Sequence, residues 1–291
     1  MSLIGAETLT HLQSWQGRTH SLQDSITAAP LHGLHALLDL DDQTLAPDFE
    51  LPPLWHWMYF LPTTPQHDLG SDGHPRKGGF LPPVPLPRRM WAGGRVDWYR
   101  PLRLGESIER VSSIQQVSHK HGRSGELLFV QVEHAISHHQ GLALKEVHDI
   151  VYRPLQTHGS PVVASPELPP AQWEAQVVPD DVVLFRYSAL TFNSHRIHYD
   201  RKYATETEGY PGLVVHGPLM ATWLMTLLRQ HCQQPVASLY YKAHKPVFET
   251  ADRLPLRLCG APADDGQSAQ LWLQDSQGHV AMHAQVVFQT A

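Results

Sequence analysis

The chain has 291 residues, enough for one large domain or two of middling size, each able to bury a core. Lys and Arg number 22 against 28 Asp and Glu, a formal net charge of −6, and the longest basic run is Arg88-Arg89, which argues against nucleic acid as a partner. MSLIGAETLTHLQSW lacks the pattern of a secretion leader, and no apolar run reaches the roughly 18 residues of a membrane helix, so a soluble cytoplasmic protein is predicted.

The first regular element predicted is a helix within Ile26 to Leu40, where Ala28, Leu31, Leu34, Leu37 and Leu38 recur at roughly helical spacing. Residues 62–87, PTTPQHDLGSDGHPRKGGFLPPVPLP, are too rich in proline and glycine for a regular element and predict a long loop or flap. RMWAGGRVDWYRPL, ESIERVSSIQQVSH and GELLFVQVEHAISHHQGLALKEVHDIVYR then read as successive strands, the last stretch folded at His139-Gln140-Gly141. The proline-rich RPLQTHGSPVVASPELPPAQ that follows predicts a linker. It divides the chain into an N-terminal domain, residues 1–155, a linker, 156–172, and a C-terminal domain, 173–291.

In the second domain DVVLFRYSAL is strand-like, and MATWLMTLLRQH after Gly217-Pro218 is a helix, with Met220, Trp223, Leu224, Leu227 and Leu228 on one stripe and proline as its start signal. AQLWLQDSQGHVAMHAQVVFQ is a hairpin turning at Ser276-Gln277-Gly278, with Val280, Met282, Ala284, Val286 and Phe288 on one face. Each half therefore holds one apolar helix followed by long antiparallel strands and ends in a Gln-Gly hairpin. This pattern predicts an internal duplication and an α+β fold in which a sheet wraps a helix twice.

The 21 histidines are numerous, but no His-Glu-x-x-His or Cys-x-x-Cys spacing accompanies them, so no metal is expected. Cys232 and Cys259 lack the spacing of a redox pair and are expected to be packing residues, while His134, His138, His148 and His283 read as ordinary strand histidines. The informative stretch is Leu190 to Leu228. Asn193, His195 and His198 occupy an aperiodic segment between two regular elements, where catalytic groups tend to sit, and histidine is suited to proton transfer near neutral pH. Asp200 is placed to orient a histidine or to cap the next turn; His216 is placed to line a tunnel or to cap the helix. The N–H groups around Gly217, at the helix start, suit a developing oxyanion.

SALTFNSHRIHYDRKYA followed by GYPGLVVHGPLMA resembles the signature of the MaoC-like, (R)-specific hydratase 2 family of hot-dog proteins. Within it the chain is most similar to the branch of hydroxyacyl-thioester dehydratase type 2, mesaconyl-CoA (3-methylfumaryl-CoA) hydratase and itaconyl-CoA hydratase. The likeness extends more loosely to WQGR at Trp15 and MWAGGRVDWYRPLRLGE at Met90. It implies a double hot-dog subunit, with a degenerate N-terminal domain and a catalytic C-terminal one. It also implies a homo-oligomer and reversible addition of water to an enoyl-CoA thioester, with coenzyme A entering as part of the substrate and no separate cofactor.

Carried over by position, His198 takes the place of the family's catalytic histidine. Asn193 falls where the family has aspartate, His195 where it has asparagine, and Arg196 where it has proline. The resemblance thus assigns proton transfer to His198, positioning of water to Asn193 and His195, and the enolate oxygen to Gly217. Arg88, Arg89, Arg95, Arg196, His216 and Lys242 are candidates for binding the CoA phosphates or an acyl carboxylate. The preferred substrate is a branched C5 dicarboxyl-CoA, itaconyl or mesaconyl; an arginine facing the acyl end would support it. The alternatives are a 3-hydroxyacyl-thioester dehydratase of fatty-acid synthesis, which a long apolar tunnel would favour, and a non-catalytic acyl-CoA-binding protein. A thioesterase fits less well because PLMATWLMTLL carries no carboxylate.

Overall fold

The computed structural model describes residues 3–40, 45–122, 125–154, 166–249 and 252–290. Four α-helices are present among them: α1 (Ala6–Gln13), α2 (Ala28–Leu37), α3 (Asp181–Leu190) and α4 (Gly217–His231). The strands are β1 (Thr19–Ser25), β2 (Arg88–Trp98), β3 (Ser107–Gly122), β4 (Gly125–His138), β5 (Gly141–Arg153), β6 (Trp173–Val177), β7 (Leu213–Val214), β8 (Val236–Ala243), β9 (Phe248–Glu249), β10 (Leu256–Pro262), β11 (Ser268–Gln274) and β12 (Val280–Phe288). The strand stretches before the linker become β2 to β5, and the last hairpin becomes β11 and β12. Much of the linker, 155–165, lies outside the described residues.

Ten strands form one sheet in the order β1-β3-β4-β5-β2-β8-β12-β11-β10-β6, and β7 pairs with β9 apart from it. Numbered within its own half, each side of the β2–β8 junction runs first, third, fourth, fifth, second. The two halves share one topology and meet through their second strands, as a duplication requires. The junction is antiparallel, with Arg95 opposite Tyr240 and Val96 opposite Leu239.

The halves differ in what their sheets enclose. In the C-terminal half α4 packs along β6, β10, β11 and β12. Leu219, Met220, Ala221, Trp223, Leu224, Leu227 and Leu228 are all buried, so α4 is apolar nearly all round, as a helix wrapped by a sheet must be. The inward residues Leu271, Leu273, Met282, Ala284 and Val286 complete the same core. In the N-terminal half α2 packs against α3 and the 3-10 turn Trp55–Met58, and its Leu31, Leu34 and Leu37 share a core with Val96, Ile108, Ile136 and Leu144 of its own sheet. Strands β3, β4 and β5 also carry Arg110, His134, Glu146 and His148, which line a pocket. Farther along those strands, a second core forms where Leu12 of α1, Trp15 just after it, Val84 and Leu86 meet Ile114, Val130 and Tyr152.

One element differs from the sequence expectation. DVVLFRYSAL is not a strand but α3, whose N-cap Asp180 accepts a hydrogen bond from the Val183 N–H at 2.8 Å. Cap chemistry and packing of Leu184 and Tyr187 override the β-propensity of Val182, Val183 and Phe185.

Candidate active site

Helix α3 ends at Thr191, and Phe192 follows in the left-handed region at φ 47. A bulky residue adopts that conformation at a cost, and here it turns the chain sharply into Asn193. The Asn193 N–H returns to the Ser188 carbonyl, and its Oδ1 accepts the His195 N–H at 3.0 Å. The side-chain amide nitrogen of Asn193 is thus the end left for other partners.

His198 is buried in the short 3-10 turn Arg196–His198. Its Nδ1 lies 2.7 Å from the Val214 carbonyl oxygen, which only accepts, so Nδ1 carries the proton and Nε2 holds the free lone pair. Burial, offset in part by that hydrogen bond, lowers the His198 pKa to about 4. The ring stacks on His216 with centroids 3.8 Å apart and an interplanar angle of 19°, and meets His195 edge-on at 5.3 Å. Burial and the neighbouring His198 hold His216 well below its ordinary value; burial, then His74 and His198, does the same for His195. The cluster is consequently neutral at physiological pH.

His216 does not cap α4 with its side chain. Its Nε2 lies 2.9 Å from the Ser188 hydroxyl, while its Nδ1 is buried without a partner. The next residue, Gly217, starts α4 against the indole of Trp91, where a Cβ would overlap the ring. Glycine is needed there for strand β2 and the helix N-terminus to approach this closely.

The flap is not a detached loop. It contains a 3-10 turn, Gln66–Asp68, and its tip is fastened to the loop that carries Asn193, His195 and His198. The Arg196 N–H donates to the Asp72 carbonyl at 2.9 Å, the Ser194 hydroxyl to the Gly73 carbonyl at 2.6 Å, and the Arg196 guanidinium to the Ser71 carbonyl at 3.1 Å. Gly73 has φ 86, and a Cβ there would collide with the Ser194 carbonyl. The docking carries His74 onto His195, with ring centroids 3.8 Å apart, and Asp72 Oδ2 lies 3.1 Å from His74 Nδ1. Asp72 and His74 escaped the sequence analysis because they lie far along the chain in an aperiodic stretch. The donor atoms of Asp72, His74 and His195 lie within 4.8 Å of one another, the one place near the histidine cluster where the described residues offer a set fit for a metal ion.

Several predicted residues are placed differently. Asp200 orients no histidine: it pairs with Arg196 at 2.7 Å and caps the next turn by accepting the Tyr203 N–H at 3.0 Å. Arg196, so engaged and stacked 4.2 Å from the Tyr203 ring, fastens the flap. Arg88 is held by Glu208 and lies over Tyr210, and exposed Arg95 chelates Asp97. Lys242 is an exposed residue of β8. Burial lowers the His74 pKa, Asp72 raises it, and Arg89, alone of these, lies near enough to the cluster to lower it further.

A second polar group lies on strands β3, β4 and β5 of the N-terminal half. A pocket of about 140 Å³ is lined by residues including His56, Phe60, Arg110, His134, Glu146, His148 and Thr191. His134 and His148, ordinary strand residues by sequence, belong to its wall. Glu146 is buried and accepts from Trp57 Nε1 at 2.8 Å and the Tyr241 hydroxyl at 3.3 Å, with His148 Nε2 at 2.7 Å and His56 Nε2 at 3.1 Å. Burial would push its carboxyl up, but His148 and His56 outweigh that and hold it well below the usual carboxylate range. Trp91 joins the two polar groups, meeting His148 edge-on at 6.1 Å on one side and Gly217 on the other. Thr191, two residues before Asn193, is where the pocket reaches the loop of Asn193, His195 and His198.

Solved structures of similar architecture place this arrangement in the double hot-dog class. HtdX of Mycobacterium tuberculosis aligns with a TM-score of 0.64 at 17% identity, over 94% of this chain and 100% of its own. A Mycobacterium tuberculosis protein described as having a double hotdog fold aligns with a TM-score of 0.56 at 11% identity, over 94% of this chain and 96% of its own. The sequence model of the hydroxyacyl-thioester dehydratase type 2 family matches residues 54–249, and the chain belongs to that family. Its relatives include the mesaconyl-C(4)-CoA hydratase of Chloroflexus aurantiacus, 47% identical over 94% of this chain and 96% of that protein. A second is the mitochondrial hydroxyacyl-thioester dehydratase type 2 of Schizosaccharomyces pombe, 27% identical over 87% of this chain and 91% of that protein. With relatives so named, the protein is a carbon–oxygen lyase of the hydratase and dehydratase type.

Proposed function

We propose that the protein reversibly adds water to the double bond of a branched, carboxylated enoyl-CoA such as mesaconyl-CoA. The observation that carries the proposal is the fixed neutral tautomer of His198, with Nε2 unprotonated and the ring stacked on His216, the residue that precedes α4. In the hydration direction, His198 Nε2 removes a proton from water as its oxygen bonds to the β-carbon. The electron pair moves to the thioester oxygen, where the Gly217 N–H at the positive end of α4 stabilises it. The proton is then delivered to the α-carbon, completing addition of one water. The Asn193 amide nitrogen and His195 position the water, since Asn193 cannot itself accept a proton as a carboxylate does.

The Chloroflexus relative supports mesaconyl over itaconyl as the acyl group. Pocket size supports a short acyl group over a fatty chain: a cavity of about 150 Å³ accommodates one benzene, and this one is about 140 Å³. The protein would work as a cytoplasmic homo-oligomer, and the exposed Val182 and Phe185 on α3 support a face covered by another copy. The test is loss of enoyl-thioester absorbance with mesaconyl-C(4)-CoA, itaconyl-CoA and crotonyl-CoA side by side. Faster turnover of a dicarboxylate is the expected result; preference for crotonyl-CoA would favour fatty-acyl chemistry, and CoA binding without turnover would mark a binding protein.

A further inference from the structure

Strand β3 alternates outward and inward residues, and its inward series reads Ile108, Arg110, Ser112, Ile114. A guanidinium at a core position needs a reason, because removing a charge from water is costly unless it is paired. Arg110 makes no ion pair among the described residues, and its Nε is buried without a hydrogen-bond partner. Its guanidinium lies over the Phe60 ring at 5.0 Å, a contact that holds the group in place and leaves its donors unused. Around it the polar groups are already engaged. Ser112 Oγ lies 2.7 Å from His134 Nδ1, and Glu146 is enclosed by Trp57, Tyr241, His148 and His56. The nearest acidic side chain besides Glu146 to act on Arg110 is Asp24, which is turned to the backbone N–H groups of Ser25 and Phe60.

We infer that Arg110 is the binding site for the free carboxylate of the substrate's acyl group, and that the pocket beside Thr191 is the acyl pocket. This rests on the proposed hydration of a carboxylated enoyl-CoA. The planar fork of arginine matches a carboxylate, and a half-buried setting strengthens the pair. The Glu146 network sets the limit of the pocket: its carboxylate is saturated by four donors, so it frames the cavity without competing for Arg110. A carboxylate seated on Arg110 also fixes the direction of the acyl group, with the thioester towards Gly217 and His198.

The experiment compares a carboxylated enoyl-CoA with its methyl ester, in the wild-type protein and in the R110Q and R110K variants, by kcat/KM. Wild type is expected to prefer the acid by at least about 30-fold, the lower end of what a lost buried charge partner costs. R110Q is expected to lose that preference chiefly through KM while retaining turnover of the ester, and R110K to keep part of it. Thermal melts identify a variant that has not folded; the wild-type comparison needs no variant and decides the matter alone in that case. Equal use of acid and ester by wild type, or an unchanged ratio in folded R110Q, overturns the Arg110 assignment. Turnover of neither compound by wild type overturns the hydratase proposal itself.

Discussion

Acidification is the perturbation whose size can be worked most directly from the site. The unfolded chain binds a proton on histidine near pH 6.5, whereas buried His198 does so only near pH 4. Because the folded value is the lower one, the stabilisation from His198 is complete above pH 6.5 and is lost as pH falls towards 4. The full displacement is worth about 3 kcal/mol, of which about 2 kcal/mol is gone by pH 5. His216 and His134 are displaced in the same direction by burial and so add to the loss. Urea denaturation of wild type and H198Q at intervals from pH 7.5 to 4.5 reads this out: the wild-type midpoint should fall more steeply than that of H198Q. Parallel curves, or a wild type that gains stability on acidification, would refute the assignment of a neutral, desolvated His198.

H198A in a folded protein should lower kcat by about 100-fold or more, and near-normal turnover would remove His198 from proton transfer. E146A leaves four donors facing an empty site and should cost about 3–5 kcal/mol in chemical denaturation; a loss under about 1 kcal/mol would mean that the network is not a structural unit. G73A should lower kcat with little change in melting temperature, since it displaces the flap tip from Ser194 without touching either core; an unchanged kcat would show that the docked flap is not needed for turnover. Dialysis against a chelator should leave activity intact, and its loss, restored by a divalent ion, would point to Asp72, His74 and His195.

The strands and the duplication were legible because alternation in β4, β5 and β12 is regular and the hairpin turns carry glycine. Helix α4 was legible for the same kind of reason: its apolar residues and Pro218 mark both type and start. α3 was misread because ten residues rich in Val, Phe and Tyr satisfy the strand pattern, and the decisive bond, Asp180 to Val183, is one that propensity does not weigh. In the site, Asn193, His195 and His198 stand close in sequence and so invited attention together. Arg110, His134, Glu146 and His148 were hidden by their separation along three strands; the available clue was the phase of Leu144, Glu146 and His148, which alternation puts on one face. Of the arginines nearest in sequence to the flap and loop, Arg95 and Arg196 pair locally with Asp97 and Asp200, whereas the pairing of Arg88 with Glu208 joins residues far apart in the chain and is hidden from the sequence.

A polar pocket in one half and a buried apolar helix in the other divide the labour between two halves of the same topology. The C-terminal sheet spends its concave face on α4, so truncations at Leu224 or Leu271 lower the stability of the whole molecule. The N-terminal sheet, braced along β2 by β8, holds a polar pocket beside its apolar core. In the inferred acyl pocket, substitution of Arg110 or His134 would change which acyl group fits, whereas Glu146, tied to four donors, would be kept for stability.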